Sequence, residues 1–305
     1  MLIDRFNRRI TNLRISVTDK CNLRCFYCHK EGQFSNTGVE MTPEEIKEIA
    51  LVFRELGVKK VKITGGEPLL RRDIVEIISL MPSFEEISMT TNGILLEKYA
   101  QELKESGLSR VNISLDTLSP ETYRKLTGGN IEEVVKGLDS AVNAGLTPVK
   151  LNMVVMSGIN HNEVEEMIEF ISKYNSNGIK VILQVIELLK LPELEKYYYD
   201  IGSIEEIISA QANGFRVRSM HHRKQYFLNS SAVEFVRPID NTEFCYNCNR
   251  IRITTDGKIK PCLLRDDNLV DIKGLKGDEL KKKIFEAIGL REPYFVCNKG
   301  GGQVE

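Results

Sequence analysis

The sequence has no tryptophan, only four histidines, and a formal net charge of −1 over 305 residues. It has no run of about 18 apolar residues, so no membrane-spanning helix and no membrane partner are expected. The opening stretch, Met1-Leu2-Ile3-Asp4-Arg5-Phe6-Asn7-Arg8-Arg9, carries charge with no apolar segment behind it and does not read as a signal peptide, so a cytoplasmic location is expected. Lys plus Arg number 42 against 43 Asp plus Glu, a balance that builds no broad positive field and argues against a nucleic-acid partner. Cysteines are few. The seven fall as Cys21, Cys25 and Cys28, then Cys245, Cys248 and Cys262, then Cys297 alone. That grouping is unsuited to a disulfide framework in a chain this long and suited to metal chemistry in a reducing compartment. Cys297 reads as a partly buried thiol.

The first group has the spacing C-x3-C-x2-C in a tight loop, Cys21-Asn22-Leu23-Arg24-Cys25-Phe26-Tyr27-Cys28, directly after the alternating run Leu13–Val17. Three thiolates without a fourth can hold three irons of a cubane [4Fe–4S] cluster and leave one iron open to a small chelating molecule. A zinc knot or buried thiols are the alternatives, but zinc knots usually supply four ligands. His29, adjacent to Cys28, is poorly placed to close the same small chelate.

Strand and helix patterns then alternate. Thr42, Pro43 and Glu45 form a capped helix start, with apolar residues at helical period up to Gly57. Strands are expected at 61–64, 87–92, 111–116, 149–155 and 181–186, with helices over 73–80, 95–106, 131–144 and 164–174 between them. Such alternation implies parallel strands in a barrel or an open doubly wound sheet. Parallel strands usually read as continuous apolar runs. These do not: Arg14 and Ser16, Lys62 and Thr64, Ser88 and Thr90, Asn112 and Ser114, and Lys150 and Asn152 share parity, which puts each pair on one face. A barrel interior holding a large polar ligand explains the pattern. Arg14, Lys62 and Lys150 converge from three strands, which points to a multiply charged anion such as a triphosphate.

Beyond Glu187 the alternation fades. Tyr197, Tyr198 and Tyr199 read as packing residues, a short helix is expected near 204–210, and His221-His222 as an exposed basic turn. In the second cysteine group, C-x2-C-x13-C, the pair Asp256-Gly257 signals a two-residue hairpin that would pair Thr255 with Lys258 and set Cys262 opposite Ile251. Arg250 and Arg252 share one face of the first strand and flank an anion site beside a second three-thiol set.

These motifs resemble the radical S-adenosylmethionine (radical SAM) superfamily, whose cluster loop is C-x3-C-x2-C with an aromatic residue at the position of Tyr27. Gly65-Gly66-Glu67-Pro68 is similar to its GGEP motif. Over about residues 5 to 265 the chain resembles the GTP 3′,8-cyclases of molybdenum cofactor biosynthesis. The resemblance implies an incomplete (β/α)6 barrel at 1–190 and a C-terminal extension at 191–305 that carries a second cluster. It implies two [4Fe–4S] clusters held by Cys21, Cys25 and Cys28 and by Cys245, Cys248 and Cys262. It also implies SAM contacts from Tyr27, Gly66 and Ser114, and GTP contacts from Arg14, Lys62, Thr90, Lys150, Arg250, Ile251 and Arg252. The implied reaction turns GTP into (8S)-3′,8-cyclo-7,8-dihydroguanosine 5′-triphosphate through a 5′-deoxyadenosyl radical. An electron donor such as flavodoxin or ferredoxin, a downstream cyclic pyranopterin monophosphate synthase and a homodimer are the implied partners. The chain departs from the family at two places. Gln184-Val185-Ile186-Glu187-Leu188-Leu189 stands where Arg and Met are often found, and Gly300-Gly301-Gly302 is followed by Gln303-Val304-Glu305 instead of ending the chain. A peptide-modifying radical SAM maturase and a non-catalytic zinc or iron–sulfur module are the rival readings.

Overall fold

The structure, a computed structural model, describes residues 1–33, 38–238 and 241–294. Its first half runs β1 (Asn12–Ser16), α1 (Pro43–Glu55), β2 (Lys60–Thr64), α2 (Ile74–Ser79), β3 (Glu86–Thr91), α3 (Leu96–Glu105), β4 (Arg110–Ser114), α4 (Pro120–Thr127), α5 (Ile131–Asn143), β5 (Val149–Val155), α6 (Val164–Ser172) and β6 (Val181–Glu187). The second half adds α7 (Gly202–Gln211), β7 (Gly214–Val217), β8 (Lys224–Leu228), β9 (Ser231–Val236), α8 (Thr242–Tyr246), β10 (Arg250–Ile253), β11 (Lys258–Lys260), β12 (Val270–Asp271) and α9 (Gly277–Gly289).

Local chemistry fixes these boundaries. Thr42 Oγ1 accepts from the Glu45 amide at 3.2 Å while the Glu45 carboxylate accepts from the Thr42 amide at 2.8 Å, a closed capping box that starts α1. Helix α4 was not expected from the pattern, although Ser119 caps it, Pro120 opens it and Gly128, left-handed at φ 77°, ends it. It spans only eight residues, too few for the periodic signal to stand out.

Strands β1 to β6 pair in sequence order and all in parallel. The C-terminal strands extend the same sheet at both edges among the described residues: β10 lies parallel to β1, and β9 parallel to β6. The core lies on one face of the sheet, where Leu13, Val61, Ile87, Val111, Ile113, Leu151 and Leu183 are buried with the apolar stripes of the helices. Each fully buried aliphatic side chain of this kind contributes roughly 1.5–3 kcal/mol. The opposite parity is polar, and register aligns it into rows. Arg252, Arg14, Lys62 and Ser88 are successive cross-strand partners, and so are Ser114 with Asn152 and Gln184 with Glu234.

The hairpin register differs from expectation by one residue. Arg252 pairs with Lys260 and Ile253 with Ile259, and the Thr254 amide donates to Lys258 O at 2.9 Å. The loop therefore holds Thr255, Asp256 and Gly257, with Gly257 left-handed at φ 84°. Thr254 Oγ1 accepts from the Lys258 amide at 2.9 Å, a local bond that favours this three-residue loop over the two-residue turn. Continued outward, the register sets Cys262 opposite Arg250, not Ile251.

Candidate active site

A cavity of about 1020 Å³ lies against the polar face of the sheet, and both cysteine groups line it. Cys21, Cys25 and Cys28 sit on the loop after β1, and Cys245 and Cys248 on and after α8. Cys262 follows β11. None of the six is joined in a disulfide. Cys297 and the Gly300–Gly302 segment lie outside the described residues.

At the first group, burial and then the neighbouring Asp116, Cys28 and Cys21 push the Cys25 thiol up to about 12. Three thiols carried on one short loop and lining the cavity are the donors an iron–sulfur cluster takes, so the donor set fits one. Among the described residues no group of three or more His, Cys, Asp or Glu closes round a single metal ion. The loop is pinned from outside: the Tyr27 hydroxyl donates to Asp116, whose other oxygen accepts from the Val154 amide at 2.8 Å. Asn160 holds the same corner by donating to Asp116 O at 2.7 Å and Val154 O at 2.9 Å. Opposite it, a Cβ on Gly66 would stand 2.2 Å from Lys20 O, so only glycine admits this approach of the GGEP turn to the cysteine loop. Glu67 is buried and accepts from Leu69 N, Thr91 Oγ1 and Asn92 N, and burial raises its pKa to about 7. Tyr27, Gly66 and Ser114 all line the cavity.

The second group is held by residues that sequence reasoning passed over. Asp4, fully buried, pairs with Arg8 at 2.7 Å and Arg291 at 2.9 Å. Arg8 then donates to Cys245 O at 3.0 Å and Arg291 to Cys248 O at 2.8 Å. Burial opposes ionisation of Cys248, but the guanidiniums of Arg291 and Arg250 draw its thiol below the usual value.

Between the groups the wall is cationic. Arg14, Lys62, Thr90, Lys150, Arg250 and Arg252 all line it. Ile251 does not: its side chain is 0% exposed in the apolar core, because strand parity sends it away from its two arginine neighbours. Three of these cations also carry partners the sequence did not reveal. Arg14 donates to both oxygens of Glu31 at 3.0 and 2.8 Å, and Arg252 reaches the same carboxylate at 3.1 Å. Although burial pushes Glu31 up, these two guanidiniums hold it at about 2. Lys150 is 2.6 Å from the buried Glu234. Lys62 and Arg250 have no carboxylate partner among the described residues. Lys62 donates to Asn112 Oδ1 at 2.8 Å, and Arg250 to Met220 Sδ at 3.1 Å. Burial, followed by Arg110, Arg14, Arg250 and Lys150, drives the Lys62 pKa well below that of an ordinary lysine.

His221 corrects another expectation. It is 7% exposed, lines the cavity and stacks on Phe244 with ring centroids 3.6 Å apart, while His222 remains exposed. The left-handed backbone at both histidines turns the first ring inward, which no sequence signal marked. Arg110, Arg218 and Arg223 join the same wall. Arg110 had a signal, since it shares parity with Asn112 and Ser114 on β4.

Proteins of known structure share this fold. SuiB of Streptococcus suis, in a crystal structure bound to S-adenosylmethionine, superimposes with a TM-score of 0.66 at 16% identity, over 91% of this chain and 65% of that one. The structure titled native anSMEcpe with bound AdoMet gives 0.61 at 18% identity, over 90% and 81%. The Radical SAM superfamily model matches residues 15–171, and the Molybdenum Cofactor Synthesis C model residues 181–296. Proteins named probable GTP 3′,8-cyclase are similar throughout. That of Archaeoglobus fulgidus is 59% identical over 97% of this chain and 99% of its own, and that of Methanosarcina acetivorans 51% over 100% and 93%. The chain therefore belongs to the radical SAM superfamily and, within it, to the GTP 3′,8-cyclase family of molybdenum cofactor biosynthesis.

Proposed function

We propose that this protein converts GTP into (8S)-3′,8-cyclo-7,8-dihydroguanosine 5′-triphosphate, the first step of molybdenum cofactor biosynthesis, using two [4Fe–4S] clusters and SAM. One observation carries the reading: both three-thiol groups line a single cavity whose wall between them is rich in cations. When bound and given one electron, the first cluster would supply a 5′-deoxyadenosyl radical from SAM as the group that removes H3′ of GTP, and closure of C3′ onto C8 would call for one further electron and a proton to reach the product.

The chain's own residues bind and orient. Cys21, Cys25 and Cys28 would hold the first cluster, with Tyr27, Gly66 and Ser114 around SAM. Cys245, Cys248 and Cys262 would hold the second cluster, beside the guanine. Arg14, Lys62, Thr90, Lys150, Arg250 and Arg252 would hold the ribose and triphosphate, aligning C3′ with the radical and excluding water. In this reading residues 1–190 act as an incomplete (β/α)6 barrel and residues 191–305 as the extension bearing the second cluster. A small one-electron donor such as flavodoxin or ferredoxin would reduce the first cluster in the cytoplasm, and a cyclic pyranopterin monophosphate synthase would take the product.

Anaerobic reconstitution with SAM and GTP tests the reading by release of 5′-deoxyadenosine and of the cyclised nucleotide. Cys25→Ala is expected to abolish SAM cleavage. Cys262→Ala is expected to keep SAM cleavage and lose cyclisation; normal cyclisation by that variant would remove the role given to the second group.

A further inference from the structure

The cationic wall extends to a segment for which the resemblance implied no role. Residues 218–223 form the turn between β7 and β8, closed by the Arg218 amide donating to Arg223 O at 2.9 Å. The turn reaches across to the opposite edge of the sheet. There the His221 amide donates to Asn247 O at 3.1 Å, the His221 ring lies on Phe244, and Met220 Sδ accepts from Arg250 at 3.1 Å. These contacts make the turn part of the cavity wall, where Arg218 and Arg223 are lining residues.

Their charge is under-compensated. Glu234, 0% exposed, accepts from Lys150 at 2.6 Å, Arg218 at 2.8 Å and Gln184 at 2.9 Å, and lies 3.9 Å from Arg223. One carboxylate thus serves three cations. The mismatch is not relieved nearby, because Lys62 and Arg250 on the same wall have no carboxylate among the described residues. Buried Arg223 Nε has no hydrogen-bond partner. Like charges packed in a low-dielectric wall are costly unless an anion joins them. Guanidinium forks suit phosphate oxygens, which they engage in pairs.

We propose that Arg218 and Arg223, together with Lys150, bind the polyphosphate of the nucleotide and set the preference for a triphosphate over a monophosphate. This rests on the reading of the substrate as GTP.

The test uses the full chain, reconstituted anaerobically, with calorimetric titration of GTP, GMP and inorganic tripolyphosphate. The unaltered protein is expected to bind tripolyphosphate and to prefer GTP to GMP. Arg223→Gln and Arg218→Gln are each expected to weaken GTP binding about tenfold or more, the loss of one charge-assisted contact, and to narrow the GTP-to-GMP preference accordingly. Arg223→Lys is expected to recover part of it. Equal loss for GTP and GMP, or no change for either, would mean the turn only closes the wall, and the proposal falls. Iron content and SAM affinity report whether each variant is intact. If Arg223→Gln loses iron, Arg218→Gln carries the test, its side chain being the more exposed of the two at 28% against 12%. If the unaltered protein binds tripolyphosphate but not GTP, the anion subsite stands and the assignment of GTP as substrate falls instead.

Discussion

Glu31 and Arg252 meet at 3.1 Å although 221 residues separate them in the chain. Glu31 follows the first cysteine group by three residues, and Arg252 follows Cys248 by four, so this ion pair ties one thiol loop to the strand that leaves the other. Arg14 completes it from β1.

Removing that carboxylate strands two guanidiniums. Glu31→Gln is expected to destabilise the protein by roughly 2 kcal/mol, less than the 3–5 of a fully buried pair because these side chains keep some contact with water. Bound GTP then supplies the missing charge, so the rise in melting temperature on adding GTP should be larger in the variant than in the parent. A smaller rise would show that Glu31 does not share its arginines with the nucleotide.

Lys62 predicts effects of opposite sign on stability and binding. Its ammonium faces Arg110, Arg14, Arg250 and Lys150 and makes no ion pair with a carboxylate among the described residues, Glu86 acting on it only from farther off. Because it removes a charge that these cations repel, Lys62→Met should raise the nucleotide-free stability by roughly 1 kcal/mol or less. The same variant should bind GTP about tenfold more weakly or worse. Thermal unfolding and calorimetry on one preparation decide it, and a variant both less stable and unchanged in affinity contradicts the account.

The same lysine sets a pH dependence. Burial and its cationic neighbours depress its pKa, whereas a bound triphosphate favours the ammonium and restores it. As pH rises through the depressed value the free protein loses the proton, so GTP binding must take one up and affinity must fall. Titration in buffers of different ionisation enthalpy measures that uptake. Proton release, or an affinity that rises with pH in this range, would show that the sign is wrong.

Asp4 anchors the second group from the far end of the chain. Asp4→Ala frees Arg8 and Arg291, whose guanidiniums brace the carbonyls of Cys245 and Cys248. If each cysteine group holds one cubane, as proposed, iron should fall from about eight to about four per chain while SAM cleavage persists. Retention of all the iron would mean that the cysteine loop holds its shape without this brace.

Local pattern carried much of this protein into view. The C-x3-C-x2-C loop, the capping box at Thr42 and Glu45 and the polar parity of Arg14, Lys62, Asn112 and Lys150 depend on near neighbours and on the two-residue period of a strand. They are written in the sequence. The counter-ions are not: Glu31 and Glu234 become partners of Arg252 and Lys150 only when β10 is laid beside β1 and β9 beside β6 in one sheet. His221 was misplaced because two consecutive left-handed residues, rather than any composition, turn its ring inward. The hairpin register slipped by one because a threonine hydroxyl bond selected a longer loop than the Asp256-Gly257 pair alone implies. Sequence determined which chemistry the chain carries, since residue type and spacing fix a ligand set. Tertiary structure decided which charges stand uncompensated beside it, since an electric field depends on distance through space and not along the chain.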